Sequence, residues 1–312
     1  MPTVVPYTGY GSTEWVRVLC RVLLSRPIAA DEPSKRRRKR REQGIRGWRS
    51  FTSVPVGDVP VVIEVGGERI EVLADRGGVV DTRVPVALAP GWHRATLHTE
   101  GAEPVEAPIW IVGTEVDFGI ISDVDDTVMV TALPRPFVAF WNTFVLDEHA
   151  RIPTPGMAVL YERLVRAHPG APVIYPSTGA WNVAPTLTRF LSRNLYPAGP
   201  LLLTDWGPTH DRLFRSGRAH KEENLRRLAE EFPDVRWLLI GDDGQHDEEH
   251  YANFAAEHPG RVAAVAIREL STGEAVLAGG RSKAEQHGAD VPWVSASDGS
   301  TLADKLGEHG LL

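Results

Sequence analysis

The sequence predicts an α/β domain built on a mostly parallel sheet and preceded by a small antiparallel β-sandwich. Two observations carry this. From residue 14 to about 113, short alternating apolar runs are separated by glycine and proline with no helical period between them; after residue 115, short continuous apolar strands alternate with helical patterns. A third observation points to the chemistry. Acidic residues gather at the ends of the later strands, and an open parallel sheet binds its ligands beyond those ends. The expected domains are a sandwich over 1–114 and a catalytic domain over 115–312.

In the first half, "WVRVLCRVLL" places Val16, Val18, Cys20 and Val22 on one strand face. "VVIEVGGERIEVLAD" reads as a hairpin around Gly66 and Gly67, and "WHRATLHT" and "PVEAPIWIV" continue the series. In the second half, "VDFGIIS", "PVIYPS", "GPLLLTD", "VRWLLIGD" and "RVAAVAI" read as buried strands. Between them, Thr154 and Pro155 read as an N-cap and first helical position, followed by Leu160, Leu164 and Val165 on one face. "HKEENLRRLAEEF" aligns Leu225, Leu228 and Phe232, with Lys221 opening that helix. After residue 271, "VPWVSASDGSTLADKL" suggests a packing segment and a helix.

The chain has 312 residues, 42% hydrophobic and 24% charged, so it can bury a substantial core. Its formal charge of −7 argues against a general nucleic-acid binder. Cys20 is the only cysteine, which excludes an intramolecular disulfide and a cysteine metal cluster and favours a reducing compartment; a cytoplasmic location is expected. No stretch approaches 18 uninterrupted apolar residues, and the amino terminus lacks a basic region followed by an apolar core, so neither a membrane span nor a secretion signal is expected.

"FGIISDVDDTVMVT" puts Asp123, Asp125, Asp126 and Thr127 at the end of a buried strand. Carboxylates crowded there repel one another and lose hydration, which is costly unless a cation or a reaction needs them. The next strands end in Ser177 and Thr178 and in Asp242, Asp243 and Asp247. Such a rim suits attack of a carboxylate on a phosphate, where a divalent cation offsets the repulsion of the two anions, and Mg²⁺ prefers hard oxygen ligands of this kind. Asp123 is then the nucleophile and a metal ligand, and Asp125 the acid that protonates the leaving oxygen and the base that activates water. Ser177 hydrogen-bonds a phosphoryl oxygen, Lys221 adds positive charge, and Thr127 supports the loop. Asp242 completes the metal site with Asp247 behind it, so the metal candidates are Asp123, Asp125, Asp242 and Asp247. Substrate-binding candidates are Ser177, Thr178, Gly179 and Lys221. Asp126 points away from its neighbours and reads as architectural.

Other chemistries fail on the residues. An EF-hand needs glycine six positions into its loop and glutamate at the twelfth, where Val128 and Pro134 stand. A nucleophile elbow needs glycine two residues before the serine, where Tyr175 stands. The histidines form no HExxH pattern, and His220, beside Lys221, is the one expected nearest the site.

"DVDDT" at 123–127 resembles the DxDxT signature of haloacid dehalogenase-like phosphatases, and Ser177, Lys221 and "GDDGQHD" at 241–247 follow in that superfamily's order. More narrowly, "FGIISDVDDTV", "YPSTGAWN", "HKEENL", "LIGDDGQHDEEHY" and "AIREL" resemble the App1-type phosphatidate phosphatase catalytic domain over about residues 115–270. The resemblance implies a haloacid dehalogenase-like, Rossmann-like domain that removes phosphate from phosphatidate with Mg²⁺, leaving diacylglycerol, through an aspartyl-phosphate on Asp123. This sequence departs from that pattern in reading Ser-Thr-Gly-Ala-Trp from Ser177, where eukaryotic members read closer to Ser-Asn-Ser-Pro-Trp, and in carrying Asp243 where serine is frequent.

Two further segments bear on the substrate. The insertion near 128–153 carries Phe137, Phe140, Trp141 and Phe144; an aromatic lid there, with Phe140 and Trp141 as its candidates, suits an acyl-bearing substrate. "KRRRKRR", Lys35 to Arg41, reads as a basic loop of the sandwich, and peripheral contact with an anionic membrane is favoured over a plain solvated loop. RNA binding is weaker because no aromatic residues interleave the run. A phosphatase acting on a soluble phosphate monoester is the first alternative, and a noncatalytic lipid or protein adaptor built on the sandwich the second.

Overall fold

The computed structural model describes residues 2–24, 54–130, 152–204, 210–244, 246–278, 280 and 291–312, with backbone alone for 210–217 and 277–278. The basic run at 35–41 and the lid candidates Phe140 and Trp141 lie outside the described residues. The described chain divides into two compact units, one of residues 1–111 with 181–187 and one of 112–180 with 188–312.

Over residues 1–111 the first unit is antiparallel β; residues 181–187 add a helical turn and the start of a helix. Its strands are β1 (Pro2–Pro6), β2 (Gly9–Ser12), β3 (Trp15–Leu24), β4 (Val54–Pro55), β5 (Pro60–Val65), β6 (Glu68–Leu73), β7 (Val79–Pro85), β8 (Gly91–His98) and β9 (Val105–Val112). They join in the order β1-β3-β2-β9-β8-β5-β6, with β4 and β7 also paired to β3. The alternation in β3 turns Val16, Val18, Cys20 and Val22 into one apolar cluster with Val61, Ile63, Leu97 and Ile109. At the β5–β6 turn, Val65 pairs with Glu68 while Gly66 and Gly67 take φ of 58° and 89°. Both central residues are left-handed, as a two-residue hairpin turn requires. Within the same unit Tyr7 stacks on Trp181 at 4.7 Å and donates its hydroxyl to the Trp181 carbonyl at 3.1 Å.

The second unit is α/β. Its main strands are β10 (Phe118–Ser122), β13 (Val173–Ala180), β14 (Leu201–Thr204), β15 (Arg236–Asp242), β16 (Val262–Arg268) and β17 (Trp293–Ala296); a short antiparallel ribbon of β11 (Met129–Val130) and β12 (Ile152–Pro153) stands apart from them. The helices are α1 (Met157–Ala167), α2 (Ala184–Arg193), α3 (His210–Glu231), α4 (Asp247–Glu257), α5 (Thr272–Ala278) and α6 (Gly299–Glu308). The sheet runs β14-β13-β10-β15-β16-β17 and every pairing in it is parallel. From β10 the chain builds outward to β13 and β14, then returns to the other side of β10 with β15. The strand order therefore reverses between β10 and β15, the position where a crevice opens at the carboxyl ends of an open α/β sheet. Strands buried on both faces read as apolar runs: all five residues of β10 are buried, and Ile120, Leu238, Leu239 and Val265 are inaccessible to solvent.

Two local expectations need correction and a third gains detail. Thr154 and Pro155 do not open α1; it begins at Met157 behind Gly156, whose φ of 73° breaks the helical path, and Thr154 Oγ1 caps nothing. Lys221 does not open α3 but lies in its middle, because the helix continues back to His210. The segment after residue 291 is a sixth parallel strand, β17, joined to β16 from Val265–Trp293 to Arg268–Ala296.

Candidate active site

The β10 ladder delivers the first carboxylate. Asp123 N donates to Ile240 O at 2.9 Å, which carries the β10–β15 pairing one residue past the strand and fixes Asp123 beside the end of β15. The chain then folds into a tight turn in which Val128 N and Met129 N both donate to Val124 O, at 3.1 and 3.3 Å. On the adjoining strand end, Asp242 Oδ1 accepts from Gly244 N at 2.7 Å, so the loop after β15 closes on its own carboxylate. Asp247 opens α4 and turns Oδ2 back to Asp242 N at 3.4 Å.

Carboxylate oxygens of Asp123, Asp242 and Asp247 come within 4.8 Å of one another, and all three residues are buried. Lys221 reaches this cluster from α3, its Nζ 2.6 Å from Asp123 Oδ1 and 2.7 Å from Asp247 Oδ1, with its side chain 14% exposed. Burial pushes the Asp123 carboxyl up, Lys221 pulls it back, and the charges of Asp247 and Asp125 push it up again, leaving it at about 7. Burial acts on Asp247 in the same sense, but Lys221, His250 and the Asp242 amide outweigh it and hold Asp247 below the usual carboxylate range. Burial would lower the Lys221 ammonium, yet its two carboxylate partners hold it well above the ordinary lysine value. One lysine thus offsets only part of the charge.

The remaining negative charge is what a hard divalent cation would meet, and three buried carboxylates drawn from two loops are a fitting donor set for Mg²⁺. Of the four expected ligands, Asp123, Asp242 and Asp247 gather, and Asp247 lies in the cluster itself rather than behind it. Asp125 turns toward β13, where its Oδ2 accepts from Ser177 Oγ at 3.3 Å. Ser177 is fully buried and its Oγ also accepts from Gly179 N at 3.1 Å. Thr178 exposes its side chain, while the Thr178 and Gly179 carbonyls accept from Thr204 Oγ1 at 3.0 and 3.2 Å. Thr127 is buried with no hydrogen-bond partner for Oγ1. Asp126 is buried with φ of 60°. Asp243 accepts from Leu270 N at 2.8 Å through Oδ1, which anchors its loop to the segment after β16. His220 directs Nε2 to Leu202 O at 3.3 Å and meets Asn224 Nδ2 at 2.9 Å, contacts that lie along α3 and β14.

Sequence reasoning missed the residues that hold the aspartate loop by its carbonyls. Ser122 Oγ donates to Asp123 O at 2.7 Å and meets the buried Tyr161 hydroxyl. Tyr196 OH donates to Val128 O at 2.7 Å, and Arg268 Nη1 to Asp126 O at 2.6 Å. Only Arg268 leaves a sequence signal, a charged residue closing the otherwise apolar run "VAAVAI".

The second unit is thus an all-parallel α/β sheet that carries acids, a lysine and a buried serine at its strand ends. Residues 118–269 match the family model "Phosphatidate phosphatase APP1, catalytic domain", and this stretch is an App1-type catalytic domain. It is similar to the phosphatidate phosphatase APP1 of Saccharomyces cerevisiae, 29% identical over 154 residues, which are 48% of this chain and 25% of that protein. It is also similar to the uncharacterized protein C29B5.04c of Schizosaccharomyces pombe, 27% identical over 152 residues, again 48% of this chain and 25% of the relative. The chain therefore aligns with about a quarter of the length of each curated relative. Among solved structures, the carbohydrate acetylesterase XAC1771 of Xanthomonas citri aligns over 86% of this chain and 69% of its own at 11% identity, with a TM-score of 0.32 that identifies no common fold.

Proposed function

We propose that this protein is a Mg²⁺-dependent phosphatidate phosphatase with haloacid dehalogenase-like chemistry. The observation that carries the reading is Lys221 held between Asp123 and Asp247 within a buried three-aspartate cluster, while Asp125 accepts from Ser177. That arrangement separates the work of the two loop carboxylates. Asp123 faces the cationic side, where an anionic phosphate can approach, and serves as nucleophile. Asp125 keeps an oxygen for proton transfer on the side where the leaving oxygen departs.

In the first half-reaction an Asp123 oxygen bonds to phosphorus, the phosphorus–oxygen bond to the glyceride breaks, and Asp125 gives its proton to the departing oxygen, releasing diacylglycerol. In the second, Asp125 takes a proton from water as that water bonds to phosphorus. The acyl-phosphate bond breaks, and phosphate leaves with Asp123 restored. Ser177 and Lys221 bind the phosphoryl oxygens throughout. Mg²⁺, held by Asp123, Asp242 and Asp247, would supply charge neutralisation between the two anions. The aromatic insertion and the basic run at 35–41 would give the acyl chains and the anionic lipid surface their partners. Among the described residues no helix is long and apolar enough to cross a membrane.

Phosphate release is the test, measured from phosphatidate in mixed micelles and from a panel of soluble phosphate monoesters, with Mg²⁺ or with chelator, for the wild type and Asp123→Asn. Release from phosphatidate that needs Mg²⁺ and disappears in Asp123→Asn is expected. Activity that survives the substitution ends the mechanism, activity confined to soluble esters ends the lipid assignment, and no release from any ester returns the chain to a binding role.

A further inference from the structure

Asp126 carries the aspartate loop through a left-handed turn, φ 60°, a conformation that costs an L-residue energy unless its surroundings hold it. What holds it comes from two strands away. Arg268, at the end of β16 and only 4% exposed, donates from Nη1 to Asp126 O at 2.6 Å and from Nη2 to Glu274 Oε1 at 2.6 Å. Glu274 is itself fixed by a reciprocal capping box at the start of α5. Ser271 N donates to Glu274 Oε2 at 2.8 Å and Glu274 N to Ser271 Oγ at 3.3 Å.

The backbone of Arg268 belongs to the other side of the site. It pairs with Asp242 in the β15–β16 ladder, and its carbonyl accepts from Asp243 N at 3.0 Å. One residue therefore grips the loop of Asp123 and Asp125 with its side chain and the loop of Asp242 with its main chain. A guanidinium presents two fixed donors to two acceptors at once, which an ammonium on a flexible stem does less well. An arginine this buried is costly unless paired. Here the charge is spent on Glu274 and a loop carbonyl rather than on substrate.

We infer that Arg268, backed by Glu274, is a positioning residue for the phosphatase reaction: by holding Asp126 in its turned conformation it sets the Asp123–Asp125 loop at its working distance from Asp242. This rests on the phosphatase reading above. The Arg268 guanidinium bonds to Asp126 O and Glu274 rather than to the side chains assigned to the reaction, so its effect belongs in kcat rather than in binding of the phosphate ester.

The test uses the full chain with Arg268→Lys, Arg268→Gly and Glu274→Gln. Melting temperature, amide hydrogen exchange of residues 119–130 and hydrolysis of p-nitrophenyl phosphate with Mg²⁺ are measured for each. The expected result is faster exchange across 119–130 in all three. It comes with kcat lower by about 10- to 100-fold at little-changed KM. Added guanidinium is expected to restore part of the Arg268→Gly loss and none of the Glu274→Gln loss. Wild-type exchange and kcat in Arg268→Lys and Glu274→Gln would overturn the inference, as would a kcat loss in Arg268→Gly that guanidinium leaves untouched while exchange stays unchanged. Should the wild type release phosphate from no ester, the phosphatase reading falls by itself. The exchange measurement then still decides the clamp, faster exchange upholding it and unchanged exchange ending it.

Discussion

A methyl group on Gly241 would stand 2.7 Å from Asp247 Oδ2. The strand that presents Asp242 is bare at its penultimate residue because Asp247 lies across it, and the same virtual carbon would meet the Tyr251 ring at 2.8 Å. Neither neighbour yields freely: Asp247 is tied to Lys221, and Tyr251 OH donates to Ile240 O at 2.9 Å. Gly241→Ala is therefore expected to displace Asp247 from the cluster. The expected outcome is overpacking worth about 1–3 kcal/mol in denaturant unfolding, with weaker Mg²⁺ binding by calorimetry. Wild-type Mg²⁺ affinity in Gly241→Ala would remove Asp247 from the ligand set.

Burial of Asp123, only partly offset by Lys221, gives the site its pH dependence. The Asp123 carboxyl moves from 3.8 to about 7 on folding, so the folded chain keeps a proton that the unfolded chain has lost. Its contribution to stability is complete below 3.8 and is lost as pH rises through about 7. Without divalent cation the melting temperature should fall between pH 5 and pH 8, and Mg²⁺ should restore it at pH 8 by favouring the charged form. Lys221→Gln removes the one influence that pulls Asp123 down strongly. The fall should then extend above pH 7, and phosphate release should drop by roughly 10²- to 10³-fold. A melting temperature in chelator that does not change with pH would show that the carboxylate is already charged and compensated.

The parts of this site that could be read from sequence are those in which chemistry leaves a residue-type signature at fixed spacing. Asp123, Asp125 and Thr127 follow a buried strand directly, and Asp242 follows another, so apolar runs and acid clusters locate them together. Residues that act across space leave no such trace. Tyr161 and Tyr196 look like core aromatics, and only the fold reveals that their hydroxyls meet Ser122 and the Val128 carbonyl. The misread start of α1 has a similar cause. Thr154 and Pro155 are good capping residues, but Gly156 takes φ 73° and α6 packs so closely there that a Cβ on Gly299 would meet Met157 N at 2.4 Å. Tertiary packing decided that boundary over local preference. In β17 only Val294 and Ala296 are buried, too short an alternation to announce an edge strand.

Tyr196→Phe isolates one of the loop's neutral anchors. Deleting the hydroxyl leaves the ring packed against Tyr161 at 5.4 Å and removes only the donor to Val128 O. Loss of a buried partner is worth about 1–3 kcal/mol in unfolding free energy. Because Val128 closes the turn begun at Val124, kcat on a small aryl phosphate should fall several-fold while KM holds. An unchanged stability would mean that water replaces the phenol at this carbonyl.

Asp298 offers a stability test remote from the aspartate cluster. It is the N-cap of α6, accepting from Ser300 N at 2.9 Å, from Thr301 N at 3.0 Å and from Thr301 Oγ1 at 3.1 Å. The Thr301 amide leads the interactions that hold its carboxyl below the ordinary aspartate value. A depressed acid contributes stability above its unfolded value of 3.8 and loses it as pH falls through the folded one, so the cap is fully effective at neutral pH. Asp298→Ala should cost about 1 kcal/mol at pH 7. Asp298→Asn should retain most of the cap while losing its acid sensitivity, because the amide still accepts from both backbone N–H groups but carries no charge. Unfolding curves at pH 7 and pH 3 separate the two variants: the gap between wild type and Asp298→Asn should narrow at pH 3, and a gap that stays constant would show that the charge contributes nothing to the cap.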